Sequence, residues 1–258
     1  MFVRTALLSF TFVAVMAIIG VEASASPELQ RTWEKAEIWV KPAGGGLINS
    51  HMDDQRLHQR LIKAGRKLPT VIFFHDCGKN RKLAGWHYAR FMARAGFAVI
   101  LPDSFARSNR IETCSHWQFR PLAGAPFDKV HALRKSEIAH ALTMVGKLGW
   151  ADTKNLFVMG QGEGADALAA YDGTGYGARV VSAALCRWGI NGPTDVPTLV
   201  IASQDDRLFN GADAASCATM AGERSVEINL LPGYQHDTSS LPEARDAVIA
   251  FLRRQINR

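Results

Sequence analysis

The sequence predicts a single α/β domain in which helices flank both faces of a mostly parallel β-sheet. Short apolar runs typical of buried parallel strands alternate with longer stretches of helical periodicity. This alternation is the pattern of a parallel sheet with crossover helices. No internal repeat or linker interrupts residues 26–258, which are therefore expected to form one domain.

The predicted elements follow one another regularly along the chain. A strand-like run at 36–40 precedes six buried strands, which are predicted at 70–74, 97–101, 156–159, 180–185, 198–202 and 226–231. Helices are predicted at 85–95, 129–148, 164–171, 211–221 and 242–256.

Composition narrows the possible partners. The 258 residues are 47% hydrophobic and 21% charged, which excludes intrinsic disorder and coiled coil. The formal net charge is +6, but the basic residues are scattered along the chain. This distribution favours a solvated surface over a nucleic-acid site, so no nucleic-acid partner is predicted.

Residues 1–25 have the pattern of a signal peptide. Arg4 precedes an apolar run at 6–21, and residues 23–25 read Ala-Ser-Ala, a small-x-small cleavage pattern. We predict cleavage near Ala25, a secreted or periplasmic protein, and no membrane attachment after the leader is removed. An uncleaved N-terminal anchor is the alternative, although the apolar run is short for a membrane span.

Residues able to carry chemistry follow the ends of several predicted strands. In open α/β sheets, ligands bind outside the carboxyl ends of the strands. There the chain carries HDCG (75–78), GQGEG (160–164), Asp205 with Asp206, and His236. A tight glycine turn, then a carboxylate, then a histidine is the chain order of an α/β hydrolase.

Longer stretches strengthen this interpretation. They are PTVIFFHDCGKN (69–80), GWHYARFMARAGFAVILPDSFARSNRIETC (85–114), LFVMGQGEGADA (156–167), PTLVIASQDDRLFNGADAASC (197–217) and LPGYQHDTS (231–239). In these stretches the chain resembles exported members of the dienelactone-hydrolase family, within the α/β-hydrolase fold. The resemblance implies that fold, a small-molecule ester or lactone as substrate or ligand, and chemistry that needs no cofactor and no metal.

The resemblance also assigns catalytic roles to residues of this chain, but the residue at the nucleophile position cannot act as a nucleophile. His236 matches the general base, and Asp205, preferred over Asp206, matches the acid that orients it. The family needs a serine or cysteine nucleophile at the apex of the glycine turn. Gly162 stands at that apex and has no side chain to attack a carbonyl.

A second departure affects the predicted oxyanion region, which contains Asp76, Cys77 and Glu163. Relatives usually have glycine where this chain has Asp76. A carboxylate there would oppose a developing oxyanion unless its side chain points away. Glu163, next to the apex, is expected to contribute its backbone N–H.

The four cysteines predict two disulfides in an exported protein, with three possible pairings. The resemblance implies the pair Cys186–Cys217 and leaves Cys77–Cys114, near the oxyanion region, as the second pair. A metal site at the second pair, with His75 and His116, lacks CxxC spacing and is disfavoured. A free Cys77 thiol acting as a nucleophile is a further alternative.

Other polar residues have ordinary interpretations. Asp103, Arg107 and Arg110 form a charged cluster that either fixes a loop by ion pairing or contacts substrate. Four histidines have no partner at metal-ligand spacing and are predicted to be surface residues: His51, His58, His131 and His140.

These observations predict a hydrolase-like protein with little or no esterase activity that binds a small molecule in the old pocket. An active ester or lactone hydrolase, using activated water or another nucleophile, is the alternative. An interaction module of the cell envelope is disfavoured, because it would not explain a carboxylate and a histidine kept at the strand ends. The oligomeric state is not predicted.

Overall fold

The computed structural model describes residues 26–78, 82–115, 124–208 and 225–257, together with Leu122, Cys217 and Thr219. The predicted leader, His116 and most of the helix predicted at 211–221 lie outside the described residues.

Eight strands build one sheet. They are β1 (Glu37–Val40), β2 (Ile48–His51), β3 (Leu68–Phe74), β4 (Ala98–Leu101), β5 (Ala151–Gln161), β6 (Ala178–Ser182), β7 (Thr198–Ser203) and β8 (Val226–Leu231). Their spatial order is β2-β1-β4-β3-β5-β6-β7-β8. Strands β3 to β8 are paired in parallel, whereas β1 runs antiparallel to both β2 and β4. The predicted mostly parallel sheet is confirmed.

Six α-helices are described: α1 (Pro27–Glu34), α2 (Gln55–Lys63), α3 (Lys82–Arg94), α4 (Phe127–Val145), α5 (Glu163–Ala169) and α6 (Pro242–Arg254). They cover both faces of the sheet. In β3, Ile72 and Phe74 pack in one cluster with residues of α2, α4 and α5, whereas Val71 and Phe73 pack in another with α3 and α6. This alternation follows from the two-residue period of a strand and explains why residues 71–74 of β3 are all apolar.

The strand predicted at 180–185 is shorter than expected and ends at Ser182. Ala183 has a φ of 50°, which is incompatible with an extended strand. Beyond it, the backbone N–H groups of Leu185 and Cys186 donate to the side chain of Asp166 in α5, rather than to the sheet. The chain therefore leaves the sheet here and turns over α5.

The two disulfides pair as predicted, Cys77 with Cys114 and Cys186 with Cys217. The first joins the segment after β3 to the loop after β4, and it leaves neither cysteine as a thiolate for metal binding or nucleophilic attack. Within the described residues, no helix combines the length and apolarity needed to cross a bilayer.

The prediction that His131 and His140 are surface residues is wrong. They are only 5% and 8% exposed, respectively, and both lie in α4. The imidazole of His131 stacks against Trp188, with ring centroids 3.7 Å apart. Burial lowers the pKa of His131 to about 4, so this ring is neutral and packs as an aromatic side chain.

Candidate functional site

The glycine turn (residues 160–164) connects β5 to α5 and has the geometry of a nucleophile turn. Its apex, Gly162, follows the carboxyl end of β5 and has φ 52° and ψ −121°, a conformation that glycine adopts readily and that is strained for other residues. A Cβ on Gly160 would lie 2.6 Å from the Gly164 carbonyl oxygen, and one on Gly164 would lie 2.3 Å from that of Phe74. The flanking glycines are therefore required by close backbone packing, whatever residue stands at the apex.

The side chain of Asp76 points into this turn. Its Oδ1 accepts hydrogen bonds from the backbone N–H of Cys77, at 2.6 Å, and of Glu163, at 3.0 Å. A Cβ built on Gly162 would lie 2.1 Å from the same oxygen. The Asp76 carboxylate thus occupies the space that any side chain at position 162 would need.

The two donors of these hydrogen bonds have a defined place in the fold. One is the backbone N–H of the residue after the apex, and the other comes from the loop that follows β3. These are the two positions from which α/β hydrolases build an oxyanion hole. In this protein, both donors are already used by an internal carboxylate.

His236 lies between two carboxylates. Its Nδ1 is 2.8 Å from Asp206 Oδ2, and its Nε2 is 3.3 Å from Asp76 Oδ2. Burial alone would lower the pKa of His236, but the hydrogen bonds and negative charges of Asp206 and Asp76 outweigh it and raise the pKa to about 10. The ring is therefore an imidazolium at neutral pH, with an acceptor for each N–H.

The carboxylate that orients His236 is Asp206 and not Asp205, which corrects the sequence-based preference. Asp206 is 3% exposed and faces the imidazole, whereas the side chain of Asp205 is exposed to solvent. The backbone of Asp205 donates to the Gly233 carbonyl, and Asp206 Oδ1 accepts from the Leu208 N–H. These turn contacts fix which of the two neighbouring side chains points inward.

Since both N–H groups of His236 are bound by carboxylates, a pH titration tests the arrangement. We expect the His236 resonances in ¹⁵N NMR spectra to show a protonated ring at pH 8. The Asp206→Asn variant should titrate at a lower pH, because it loses one of the two charges. Titration of the wild-type ring near its ordinary pKa of 6.5 would contradict the described geometry.

The raised pKa also has a consequence for stability. A group whose pKa is higher in the folded than in the unfolded chain stabilises the fold fully below its unfolded pKa. We therefore expect the contribution of His236 to decline as the pH rises from 6.5 towards about 10. Urea unfolding across this range, with Asp206→Asn as the comparison, measures the decline.

A buried cluster of ion pairs contacts the glycine turn (residues 160–164) through Glu163. The Glu163 carboxylate bonds to Arg110 and Thr113, and its Oε1 is 3.7 Å from Arg134 Nε. Arg134 also bonds to Glu137 at 3.0 Å.

The predicted charged cluster divides between two roles. Arg107 pairs with Glu137 at 3.4 Å and Arg110 pairs with Glu163, so both fix the loop through ion pairs. Asp103 accepts the Phe105 N–H at the start of a short 3₁₀ turn. Arg134 and Glu137 were not predicted from sequence, although both lie in the predicted long helix.

A cavity of about 90 Å³ opens above the apex. It is bordered by the Cys77–Cys114 disulfide, by apolar side chains and by charged groups. Its lining includes Asp76, Cys77, Thr113, Cys114, Phe127, His131, Gly162, Glu163, Asp166, Leu185, Arg187, Trp188, Leu208 and His236.

Asp166 is a lining residue that the sequence did not reveal. Its Oδ1 accepts the backbone N–H groups of Leu185, at 3.0 Å, and Cys186, at 2.9 Å. Burial raises the pKa of Asp166 to about 7 despite these hydrogen bonds. The only available signal was its position in the helix, one turn after Gly162.

The described residues do not form the ligand groups that metal ions need. Among the residues that the structure describes, no three His, Cys, Asp or Glu side chains are grouped to hold a metal ion.

The sheet order, the glycine turn and the positions of Asp206 and His236 define a protein of the α/β-hydrolase fold. Comparison with solved structures confirms this class. A candidate α/β hydrolase from Agrobacterium tumefaciens superposes with a TM-score of 0.55 at 18% identity, covering 74% of this chain and 87% of that chain.

Two further solved structures support the α/β-hydrolase fold. A candidate dienelactone hydrolase from Klebsiella pneumoniae has a TM-score of 0.53 at 13% identity and covers 84% of this chain and 98% of its own. A serine hydrolase without a lid from Xanthomonas campestris has a TM-score of 0.52 at 16% identity, covering 74% and 84%, respectively. The predicted resemblance is thus confirmed at the level of the fold.

Sequence comparison adds no family assignment: no protein-family profile and no curated protein matches the chain.

Proposed function

We propose that this protein binds a small organic molecule in the cavity above Gly162 and has lost the acyl transfer for which its fold is built. The observation that carries the proposal is the Asp76 carboxylate, which accepts both oxyanion-hole N–H groups. Together with a glycine at the apex, it removes the attacking atom and fills the site that would stabilise the intermediate.

Electrostatics support the loss of acyl transfer. An ester carbonyl under attack develops negative charge, which an oxyanion hole stabilises with free N–H donors. Here a substrate oxygen would have to displace a carboxylate that holds two backbone hydrogen bonds and an ion pair with His236. If the carboxylate stayed, its charge would repel the developing oxyanion.

The cavity limits the ligand class. A volume of about 90 Å³ suits a molecule of a few non-hydrogen atoms. Leu185, Leu208 and Trp188 offer apolar contacts, and Arg187 and Asp166 offer polar ones. A small lactone or ester, bound without turnover, fits this combination and agrees with the substrate class implied by the sequence.

An ester assay combined with a binding assay tests the proposal. With p-nitrophenyl acetate, we expect wild type and His236→Ala to show the same background rate. In isothermal titration calorimetry, γ-butyrolactone should bind to wild type but not to Leu208→Trp, whose larger side chain fills the cavity.

Two results would contradict the proposal. One is efficient ester turnover by wild type that His236→Ala abolishes. The other is the same lactone response in wild type and Leu208→Trp.

We also propose that the protein acts outside the reducing cytoplasm. The two disulfides fit an oxidising compartment, and the predicted leader of residues 1–25 would direct export.

A further inference from the structure

We propose that Asp76 is a nucleophile towards saturated carbon and that the ligand class of this site is a small epoxide. The inference rests on the proposed function, since the same cavity must first admit a small molecule. It goes further in assigning chemistry to the carboxylate that blocks acyl transfer.

The two oxygens of Asp76 have different surroundings. Oδ1 is held by the N–H groups of Cys77 and Glu163, whereas Oδ2 lies 3.3 Å from His236 Nε2. Asp76 borders the cavity, so a molecule bound there can meet the carboxylate. An ionised carboxylate can attack carbon and form a covalent ester intermediate. Because Oδ1 is fixed, attack by Oδ2 leaves Oδ1 in the oxyanion hole.

The first step opens the epoxide ring. An electron pair on Asp76 Oδ2 forms a bond to one ring carbon, and the bond from that carbon to the ring oxygen breaks. The freed alkoxide needs a proton. Asp166 borders the same cavity, its Oδ1 is engaged by two N–H groups, and burial raises its pKa to about 7. Asp166 therefore supplies the proton, and the product is a hydroxyalkyl ester of Asp76.

The second step hydrolyses this ester. Esterification removes the negative charge of Asp76, which is one of the two charges that raise the pKa of His236. With that pKa lowered, His236 can release its proton to solvent and then take one from a water molecule that attacks Asp76 Cγ.

The resulting oxyanion is Oδ1, already placed on the two N–H donors. The Cγ–Oδ2 bond then breaks, and the departing alkoxide takes the proton from His236 to become a diol. The regenerated Asp76 carboxyl group loses its proton, which restores Asp166 through solvent, and His236 takes back from solvent the proton that it released. In sum, one epoxide and one water give one vicinal diol.

Covalent trapping tests this inference. His236→Ala is incubated with 1,2-epoxybutane, and we expect a mass increase of one epoxide on the peptide that contains Asp76. The double variant Asp76→Asn/His236→Ala should show none. In H₂¹⁸O that contains 1,2-epoxybutane, wild-type protein should incorporate ¹⁸O into the Asp76 carboxylate, because water attacks Cγ of the ester; without the epoxide it should not.

Asp166→Asn, in the His236→Ala background, distinguishes the role of Asp166 as the acid from the role of Asp76 as the nucleophile. Asparagine can still accept the two N–H groups but cannot donate a carboxylic proton. We expect the adduct to form about 100-fold more slowly with the epoxide. With 1-bromobutane, whose leaving group needs no proton, the rate should be unchanged.

The absence of both the adduct and the ¹⁸O label would overturn the inference. Normal γ-butyrolactone binding in the same samples would show that the proposed function survives, and lost binding would show that both fail. An equal loss of rate with epoxide and bromide in Asp166→Asn would overturn the assignment of Asp166 as the acid.

Discussion

Combining Asp76→Gly with Gly162→Ser is expected to raise hydrolysis of p-nitrophenyl acetate by at least about 100-fold over wild type, the scale associated with oxyanion-hole donors. The first substitution frees the N–H groups of Cys77 and Glu163, and the second supplies an attacking hydroxyl. The first substitution also removes one of the two charges that raise the pKa of His236, so the ring can accept the serine proton while Asp206 orients it.

Asp76→Gly alone and Gly162→Ser alone should each hydrolyse p-nitrophenyl acetate at a rate near background. In Gly162→Ser, the new Cβ would lie 2.1 Å from Asp76 Oδ1, so the serine and the carboxylate cannot both keep their positions. In Asp76→Gly the oxyanion hole is free, but no nucleophile faces it. Activity in the double variant should disappear when His236→Ala is added.

The ester assay distinguishes this account from a simple loss of serine. If Gly162→Ser alone equalled the double variant, the Asp76 carboxylate would not block the site. If the double variant folded, judged by circular dichroism, and stayed at background, the turn would not be able to support acyl transfer.

The fold could be predicted from sequence because its signals are local. The apolar runs at β3, β4 and β7 are buried on both faces, and each is short and bounded by turn residues. By contrast, α1 and α2 were missed. They span Pro27–Glu34 and Gln55–Lys63, and each buries only two side chains, so polar residues dominate both stretches of sequence.

The site was only partly predictable, because its decisive feature is the direction of one side chain. The sequence placed Asp76 beside the oxyanion region but left open whether the carboxylate points in or away. Its actual direction depends on N–H donors from Cys77 and from the distant Glu163. The choice between Asp205 and Asp206 likewise depended on backbone contacts in the turn, not on residue type.

The buried arginine of α4 should have a large effect on stability. Arg134 is 1% exposed and bonds to Glu137 at 3.0 Å and to the His75 carbonyl at 2.6 Å. Arg134→Met keeps the aliphatic bulk and the helix propensity but leaves Glu137 and Glu163 with less compensation. Removing one partner from a buried ion pair costs about 3–5 kcal/mol, so we expect urea unfolding to show a loss of that size.

A surface pair provides the matched control for this measurement. Arg254 and Glu227 are 2.6 Å apart, but their side chains are 54% and 53% exposed. Arg254→Met should therefore lower the free energy of unfolding by less than about 1 kcal/mol. Equal losses in the two variants would show that Arg134 does not compensate buried charge. A large loss confined to Arg134→Met would show that Arg134 compensates the buried charge of Glu137 and Glu163.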